Sequence, residues 1–543
     1  MPTAREPAAM RRPGLLWSLA GVLLSTIAAT PVGATAAEPA ATRATAAAFE
    51  TALRAAVSGD GDLQKFYLGR NWRPLWMDGG KPSADAKSFA DRLKNAADDG
   101  LSPDRYGAPA IEAALTAAES GDGPAMARAE ALLSRAYGGY LADLHRPADG
   151  VKMAYVHDGL APEKHAPGQW LWNAGKADTL SKHIASSTRM NPVYEELRAA
   201  YADYRDTWSD LPTTRVAPGP MLRAGATGAR VASLRERLGL PASPATFDES
   251  VAAKLRAFQS AHGLPVDGAA GPKTVAALNE GPGRFERLIR ANLERARAIP
   301  ADPGRRFLVV DTAGATLRAY EDGKVAEQMH VIVGKPDMPT PAMAGRISHA
   351  VLNPYWNLPP DLAQIRAERV LAMGKKYLVQ DRLEAMSSWE ADARVLSPDE
   401  VDWKAVASGK QQLRMRQTPG PHNMMGKIKF MLPNRYGIYL HDTPEKLLFA
   451  NDQRRFSSGC VRLADAPRLA RFLFDGKAPD PDKAGAEERV DLPKGVPVYI
   501  TYLTVEPKAG GGLAFRADPY KRDGTLMASL SSSGGGQTAQ GLK

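Results

Sequence analysis

A single cysteine, Cys460, occurs in 543 residues. One thiol excludes an intrachain disulfide, so packing alone must hold the fold. Metal-ligand spacing is missing as well. His145, His157, His165 and His183 are scattered through loop-like segments, and no His/Asp/Glu cluster has usable intervals, so neither a metal nor a cofactor is expected. Beyond residue 29 no segment is long and apolar enough to span a bilayer. Like charges do not gather in blocks: the net charge is +10, but the basic residues are dispersed, which reads first as a solvated surface. Nucleic acid is not an expected partner.

The first 40 residues have the order of a secretory signal. Arg5, Arg11 and Arg12 precede an apolar stretch from Leu15 to Ala29, followed by Ala34-Thr35-Ala36. A signal peptide over 1–37 is expected, with export to the periplasm or cell envelope and transient membrane contact on the way. An uncleaved anchor is the competing reading, and Arg11-Arg12 leaves the twin-arginine route open beside the general one. Outside the cytoplasm, a basic protein meets acidic wall peptides or lipid head groups. There a lone unpaired thiol is exposed to oxidation, which weakens its reading as a small buried hydrophobe.

Several domains follow from the length. Residues 38–48 read as a linker and 49–215 as an α-helical scaffold, with helices at 49–57, 83–97, 109–118, 124–144 and 191–207. Residues 222–280 form a separate module. Gly225 and Gly228, then Gly268 and Gly271, each open a helix, and the apolar stripes Val231/Leu234/Leu238 and Val251/Leu255/Phe258 imply three short helices around one core. An amphipathic connecting helix is expected at 284–300. From 304 to 505 the texture is mainly β, with strands at 306–310, 316–320, 329–333, 350–352, 427–431, 437–440 and 496–503. A more helical insertion at 359–413 is a candidate lid. Residues 506–528 are a C-terminal extension, and the Ser/Gly-rich tail 529–543 is expected to be disordered. The fold class is therefore multidomain α+β.

Chemistry concentrates late in the chain. Cys460 lies in Ser457-Ser458-Gly459-Cys460-Val461-Arg462, after a strand ending at His441. A free thiol is only about 3% ionised at pH 7, and a histidine brought beside it would raise that fraction and carry its proton. The two are too distant in sequence to share a helix face, so the fold must join them. Gly459 permits unusual torsion angles, and the amides of Ser458, Gly459 and Cys460 are candidates for an oxyanion hole. Asp465 and Pro467 look like a helix start, whose N-terminus would favour thiolate slightly if close by. His330 and His349 are read as core or rim residues, and nothing marks His422 as a ligand.

His441-Asp442-Thr443-Pro444 with Ser457-Ser458-Gly459-Cys460-Val461-Arg462 resembles the active-site signature of the L,D-transpeptidases, the YkuD-type catalytic domain. Asn353-Pro354-Tyr355-Trp356-Asn357, Val333-Gly334-Lys335-Pro336, Lys429-Phe430 and Pro433-Asn434-Arg435-Tyr436 extend the likeness towards the large YcbB-like subgroup. Residues 222–279 resemble its helical peptidoglycan-binding module, although a spacer that has lost its ligand fits the same fold. The resemblance implies that Cys460 attacks a tetrapeptide stem, releases D-alanine and passes the acyl group to a second stem as a 3→3 cross-link. It implies His441 as the proton carrier and the Asp442 backbone carbonyl as the group that orients it. Substrate-binding positions would be Arg462, Tyr355, Trp356 and Asn434, with core packing an equal reading for Tyr355 and Trp356. Stem peptides and glycan are the implied partners, with other wall synthases possible. On the same scaffold a carboxypeptidase, a lipoprotein-attaching or -detaching enzyme, or a non-catalytic wall-binding protein stays open. A sortase usually has its histidine farther upstream, and NlpC/P60-type hydrolases reverse the Cys/His order.

Overall fold

The computed structural model describes residues 40–508 and 512–535; the expected signal segment at 1–37 lies outside them. Alanine-rich periodicity and side-chain caps build the first domain. Ser83 caps Ala84–Lys94, Asp122 caps Gly123–Leu144 and Asn191 caps Pro192–Tyr204, each accepting a backbone N–H three residues on. The long helix Gly123–Leu144 is buried along most of its length, with Tyr137, Tyr140 and Leu141 fully covered. The helix expected from residue 49 begins at Ala40, inside the expected linker. Three further helices, Gly61–Gly69, Pro167–Lys176 and Leu180–Ser187, were not legible because they are short and contain Gly or Ser in place of a long apolar stripe. Among the described residues no helix is long and apolar enough to cross a membrane.

Three short helices, Ala229–Arg237, Glu249–Ala261 and Pro272–Glu280, form the second domain. Gly225 and Gly268 both adopt positive φ, 86° and 69°, as a repeated turn requires. This domain is tied to the rest of the chain through His262, which is 5% exposed. Its Nδ1–H donates to Phe258 O at 2.7 Å, so Nε2 is unprotonated and accepts from Tyr204 OH at 2.9 Å. Phe258, Phe285, Trp208 and Phe515 surround the ring. They come from the module, the connecting helix Pro282–Arg297, the scaffold and the C-terminal extension.

That packing makes a stability prediction. Burial lowers the His262 pKa to about 4, against about 6.5 for a free imidazole. Between those values the unfolded chain binds the extra proton and the folded chain does not, so stability falls as pH drops from 6.5 towards 4. The full loss from this one group is about 3 kcal/mol. Urea unfolding followed by tryptophan fluorescence, which Trp208 reports, should show the midpoint falling over that window. His262→Gln should lessen the dependence, leaving the share of His441, whose pKa burial also lowers, and an equally steep one in the variant would show that His262 is not its source.

The third domain is a ring of strands. We label β1 Ala154–Tyr155, β2 Arg306–Asp311, β3 Thr316–Glu321, β4 Lys324–Gly334, β5 Met343–Leu352, β6 Ile428–Met431, β7 Leu440–His441, β8 Arg455–Ser457, β9 Val461–Leu463 and β10 Glu488–Thr501. The order is β6-β7-β9-β4-β3-β2-β10-β5-β1, with β8 against β4, and pairing of β5 with β6 closes the ring. Scaffold strand β1 lies parallel to β5, so the first domain contributes a strand to the sheet of the third. Leu308, Val310, Leu317, Val331, Phe430, Leu440 and Val461 fill one face together with Leu469 and Leu473 of the helix Ala466–Leu473. Strand directions place the ends of β2, β4, β6 and β10 and the starts of β3, β5, β7 and β9 at one end of the ring. Cys460 immediately precedes β9, at that end.

Two expectations change here. The insertion carries helices Pro360–Met373, Lys376–Gln380 and Trp403–Ala407, but also its own four-stranded sheet, which runs from Trp356 to Gln417. Its core of Trp356, Leu378, Trp403 and Met415 is separate from that of the ring. The tail expected to be disordered from Ser529 instead begins inside a helix, Asp523–Gly535.

Candidate active site

Register decides which side chains meet. Lys429 on β6 pairs with His441 on β7, and His441 pairs with Arg462 on β9. Residues paired across strands share a face and those one step away point oppositely. Phe430, Leu440 and Val461 face the core, fully buried, so Lys429, His441 and Arg462 share the other face. Tyr439, two residues before His441, joins them: its ring lies 5.8 Å from the imidazole, and the Lys429 ammonium sits 3.9 Å from its centroid. Tyr439 O accepts from Val461 N–H at 3.1 Å, which brings Cys460 beside Tyr439, one diagonal from His441.

The imidazole is 2% exposed. Its Nδ1 lies 2.5 Å from Asp442 O; a carbonyl can only accept, so Nδ1 carries the proton and Nε2 is the free base. Asp442 is itself pinned. Its carboxylate accepts from Lys427 N–H at 3.0 Å and pairs with the Lys446 ammonium at 2.6 Å, and its own N–H donates to Ile428 O at 2.9 Å. Burial first, then the positive charge of Arg462, lowers the His441 pKa to about 3. The ring is therefore neutral at rest.

The thiol is half-buried and donates to Gly437 O at 3.6 Å. Burial pushes its pKa up, while hydrogen bonds from Tyr439 and the charges of Lys429 and Arg462 pull it back. Among the described residues no hydrogen bond joins His441 to Cys460, a looseness expected of a site without substrate. Both groups thus rest uncharged, with two cations nearby to stabilise a thiolate once it forms.

Cross-bracing sets the turn. Ser457 Oγ donates to Cys460 O at 2.6 Å and accepts from Gly459 N–H at 3.2 Å. Thr340 Oγ1 donates to Gly459 O at 2.7 Å and accepts from Gly334 N–H at 2.9 Å. Gly459 sits at φ 119°, and a Cβ there would come within 3.2 Å of Ile438 Cδ1, so only glycine fits without strain. Of the three amides expected to line an oxyanion hole, that of Gly459 is already taken by Ser457. Those of Ser458 and Cys460 have no hydrogen-bond partner among the described residues.

The expected substrate-binding residues divide differently. Arg462 pairs with Glu445, so its charge is already committed. Trp356 is 9% exposed and belongs to the core of the insertion; it does not line a groove. Asn434 Nδ2 donates to Ile438 O at 2.6 Å and also to Leu432 O, and Oδ1 accepts from Tyr436 and Ile438 amides at 2.9 and 3.2 Å. It clamps the loop that presents Gly437 O to the thiol, which leaves no amide group for substrate. Tyr355 is half-buried with the Arg416 guanidinium 4.1 Å from its ring centroid. The helix Ala466–Leu473 starts beyond β9, away from Cys460, and Asp465 caps it by accepting from Arg468 N–H at 2.9 Å. It does not assist the thiol. His330 and His422 are exposed and His349 is half-buried.

Lys429, Tyr439 and Thr340 were missed in the sequence. Alternation alone signals Lys429, a lone cation between Ile428 and Phe430, and places Tyr439 on the face of His441. Thr340 offers no such signal.

Comparison with known proteins agrees with this arrangement. Residues 305–500 match the model of the L,D-transpeptidase catalytic domain, 61–200 that of a scaffold domain and 234–278 that of a "Putative peptidoglycan binding domain". A curated Haemophilus influenzae protein named "Putative L,D-transpeptidase" is 32% identical over 186 residues, 34% of this chain and 37% of that one. The match thus spans little more than a third of the relative. Among solved structures, an L,D-transpeptidase from Mycobacterium smegmatis aligns at 16% identity over 36% of this chain and 58% of its own, with a TM-score of 0.18. One from Xylanimonas cellulosilytica aligns at 17% identity over 52% and 98%, with a TM-score of 0.17. Residues 305–500 thus carry an L,D-transpeptidase catalytic domain, with a scaffold and a peptidoglycan-binding domain matched on the same polypeptide.

Proposed function

We propose that the protein is an exported peptidoglycan L,D-transpeptidase that forms 3→3 cross-links through a thioester on Cys460. The observation that carries this reading is the fixed tautomer of His441 on the face it shares with Cys460 and Tyr439. His441 Nε2 takes the thiol proton as sulfur attacks the amide carbonyl of the donor stem. The resulting imidazolium gives that proton to the departing D-alanine amine, so the C–N bond breaks as the thioester is left. Amides of Ser458 and Cys460 are available to the developing oxyanion, each worth roughly 3 kcal/mol if well placed. The side-chain amine of a second stem then attacks the thioester, its proton passes to His441, and the thiol is regenerated. No ATP is needed, because the thioester retains the energy of the bond it replaced provided water is kept out.

Purified protein incubated with tetrapeptide muropeptides should yield a cross-linked dimer by mass spectrometry. Hydrolysed tripeptide alone would make it a carboxypeptidase, and unchanged substrate with folded protein would remove the enzymatic reading.

A further inference from the structure

A cavity of 680 Å³ opens beside this site and plays no part in the reaction as derived. It lies where three parts of the chain meet: the segment entering β1, the start of β5 with the end of β10, and the C-terminal extension. By the strand directions above, it is at the same end of the ring as Cys460. Two of its walls connect to the catalytic turn. Tyr436 lines it and is followed by Gly437, whose carbonyl accepts from the thiol. Pro341 lines it and follows Thr340, which holds Gly459.

The lining is charged with one sign. Lys152, Arg295, Lys521 and Arg522 face the cavity, and no aspartate or glutamate does. Arg295 is already paired with Asp523 at 2.6 Å. The other three have no ion-pair partner among the described residues. Arg522 is half-buried, its guanidinium 5.2 and 4.9 Å from the ring centroids of Tyr502 and Tyr520. These rings stack on each other at 5.3 Å beside it. The neighbouring acid Asp518 directs its oxygens elsewhere, to the Tyr502 hydroxyl and to the amides of Arg522 and Asp523. Lys521 sits at φ 53°, a left-handed conformation that a lysine adopts only at a cost.

A held guanidinium with no counter-ion, two free ammonium groups and aromatic walls suit a carboxylate on a peptide. We propose that this cavity binds a carboxylate of a peptidoglycan stem peptide while the same or a second stem reacts at Cys460. The identity of the peptide rests on the proposed function; the anion site itself does not.

Binding tests it without turnover, in full-length protein carrying Cys460→Ser. A tetrapeptide stem with free carboxylates should bind about tenfold tighter than its amidated counterpart, the scale of one charge-assisted contact. Arg522→Gln should abolish that preference while leaving the amidated peptide bound as before. Equal affinity for the two peptides, or an undiminished preference in the Arg522 variant, overturns the proposal. Should Arg522→Gln fail to fold, Lys521→Gln carries the test: its preference must shrink, and an unchanged one is equally fatal. Repeating the titration on wild-type protein acylated with a carbapenem separates the sources. Preference retained assigns the carboxylate to the acceptor stem; preference lost assigns it to the donor. Acid-selective binding by a protein that never yields cross-linked product would uphold the cavity and defeat the transpeptidase reading, so the two failures are distinguishable.

Discussion

Cys460→Ala is expected to abolish muropeptide cross-linking, a fall of at least roughly a thousandfold, and to prevent any covalent carbapenem adduct. Intact-mass spectrometry reads both. The size of the effect follows from how few nucleophiles the site holds. Ser457 is buried, and its hydroxyl is spent bridging Cys460 O and Gly459 N–H. Tyr439 is held protonated, its pKa raised by burial and by the thiol beside it. Cys460→Ser should do almost as badly, because a hydroxyl is far less acidic than a thiol and the base that must take its proton, His441, has a pKa lowered to about 3. The fold should survive both changes. The one hydrogen bond the thiol donates is long, 3.6 Å to Gly437 O, so the melting temperature should shift by only a few degrees. A carbapenem adduct on the alanine variant would transfer the nucleophile to the exposed Ser458.

Part of this site could be read before any coordinates. The His441/Cys460 pair and the glycine before the cysteine lie in short contiguous motifs, where residue types carry their own chemistry; the Asp442 carbonyl comes only from the family resemblance. What the sequence concealed depends on partners far along the chain. Arg462 reads as a free cation until folding brings Glu445 against it. Trp356, beside Tyr355 in the same motif, reads as a groove residue until the insertion closes its own small sheet around it. Asn434 looks like a recognition residue because its amide is polar, yet four backbone partners within its own loop saturate that amide. Lys429 is the instructive omission. It was visible as one cation in an apolar strand, but only the register of β6 on β7 places it over Tyr439 and within electrostatic reach of the thiol. Segment types were legible from periodicity; register and long-range pairing were not, because nothing local encodes them.

His441→Ala is the second large effect expected, a loss of about 10²–10⁴ in the acylation rate of Cys460. Its pH dependence identifies the role. A base must be neutral to act, so activity is present above its pKa and lost as pH falls through it. With the His441 pKa lowered to about 3, acylation by a small probe such as a carbapenem should stay level from pH 6.5 down to about 4.5. An imidazole with an ordinary pKa of about 6.5 would lose about fiftyfold over that interval. Stopped-flow pH jumps keep the measurement ahead of the acid destabilisation expected from His262. A second readout separates a base from a preformed ion pair. Because burial lowers the imidazole pKa and raises that of the thiol, the resting site holds the neutral pair. Simple alkylation of the thiol by iodoacetamide should then change little in His441→Ala, even as acylation collapses. A thiolate–imidazolium pair predicts the opposite, alkylation falling together with acylation, and that outcome would mean the two side chains exchange their proton before substrate arrives.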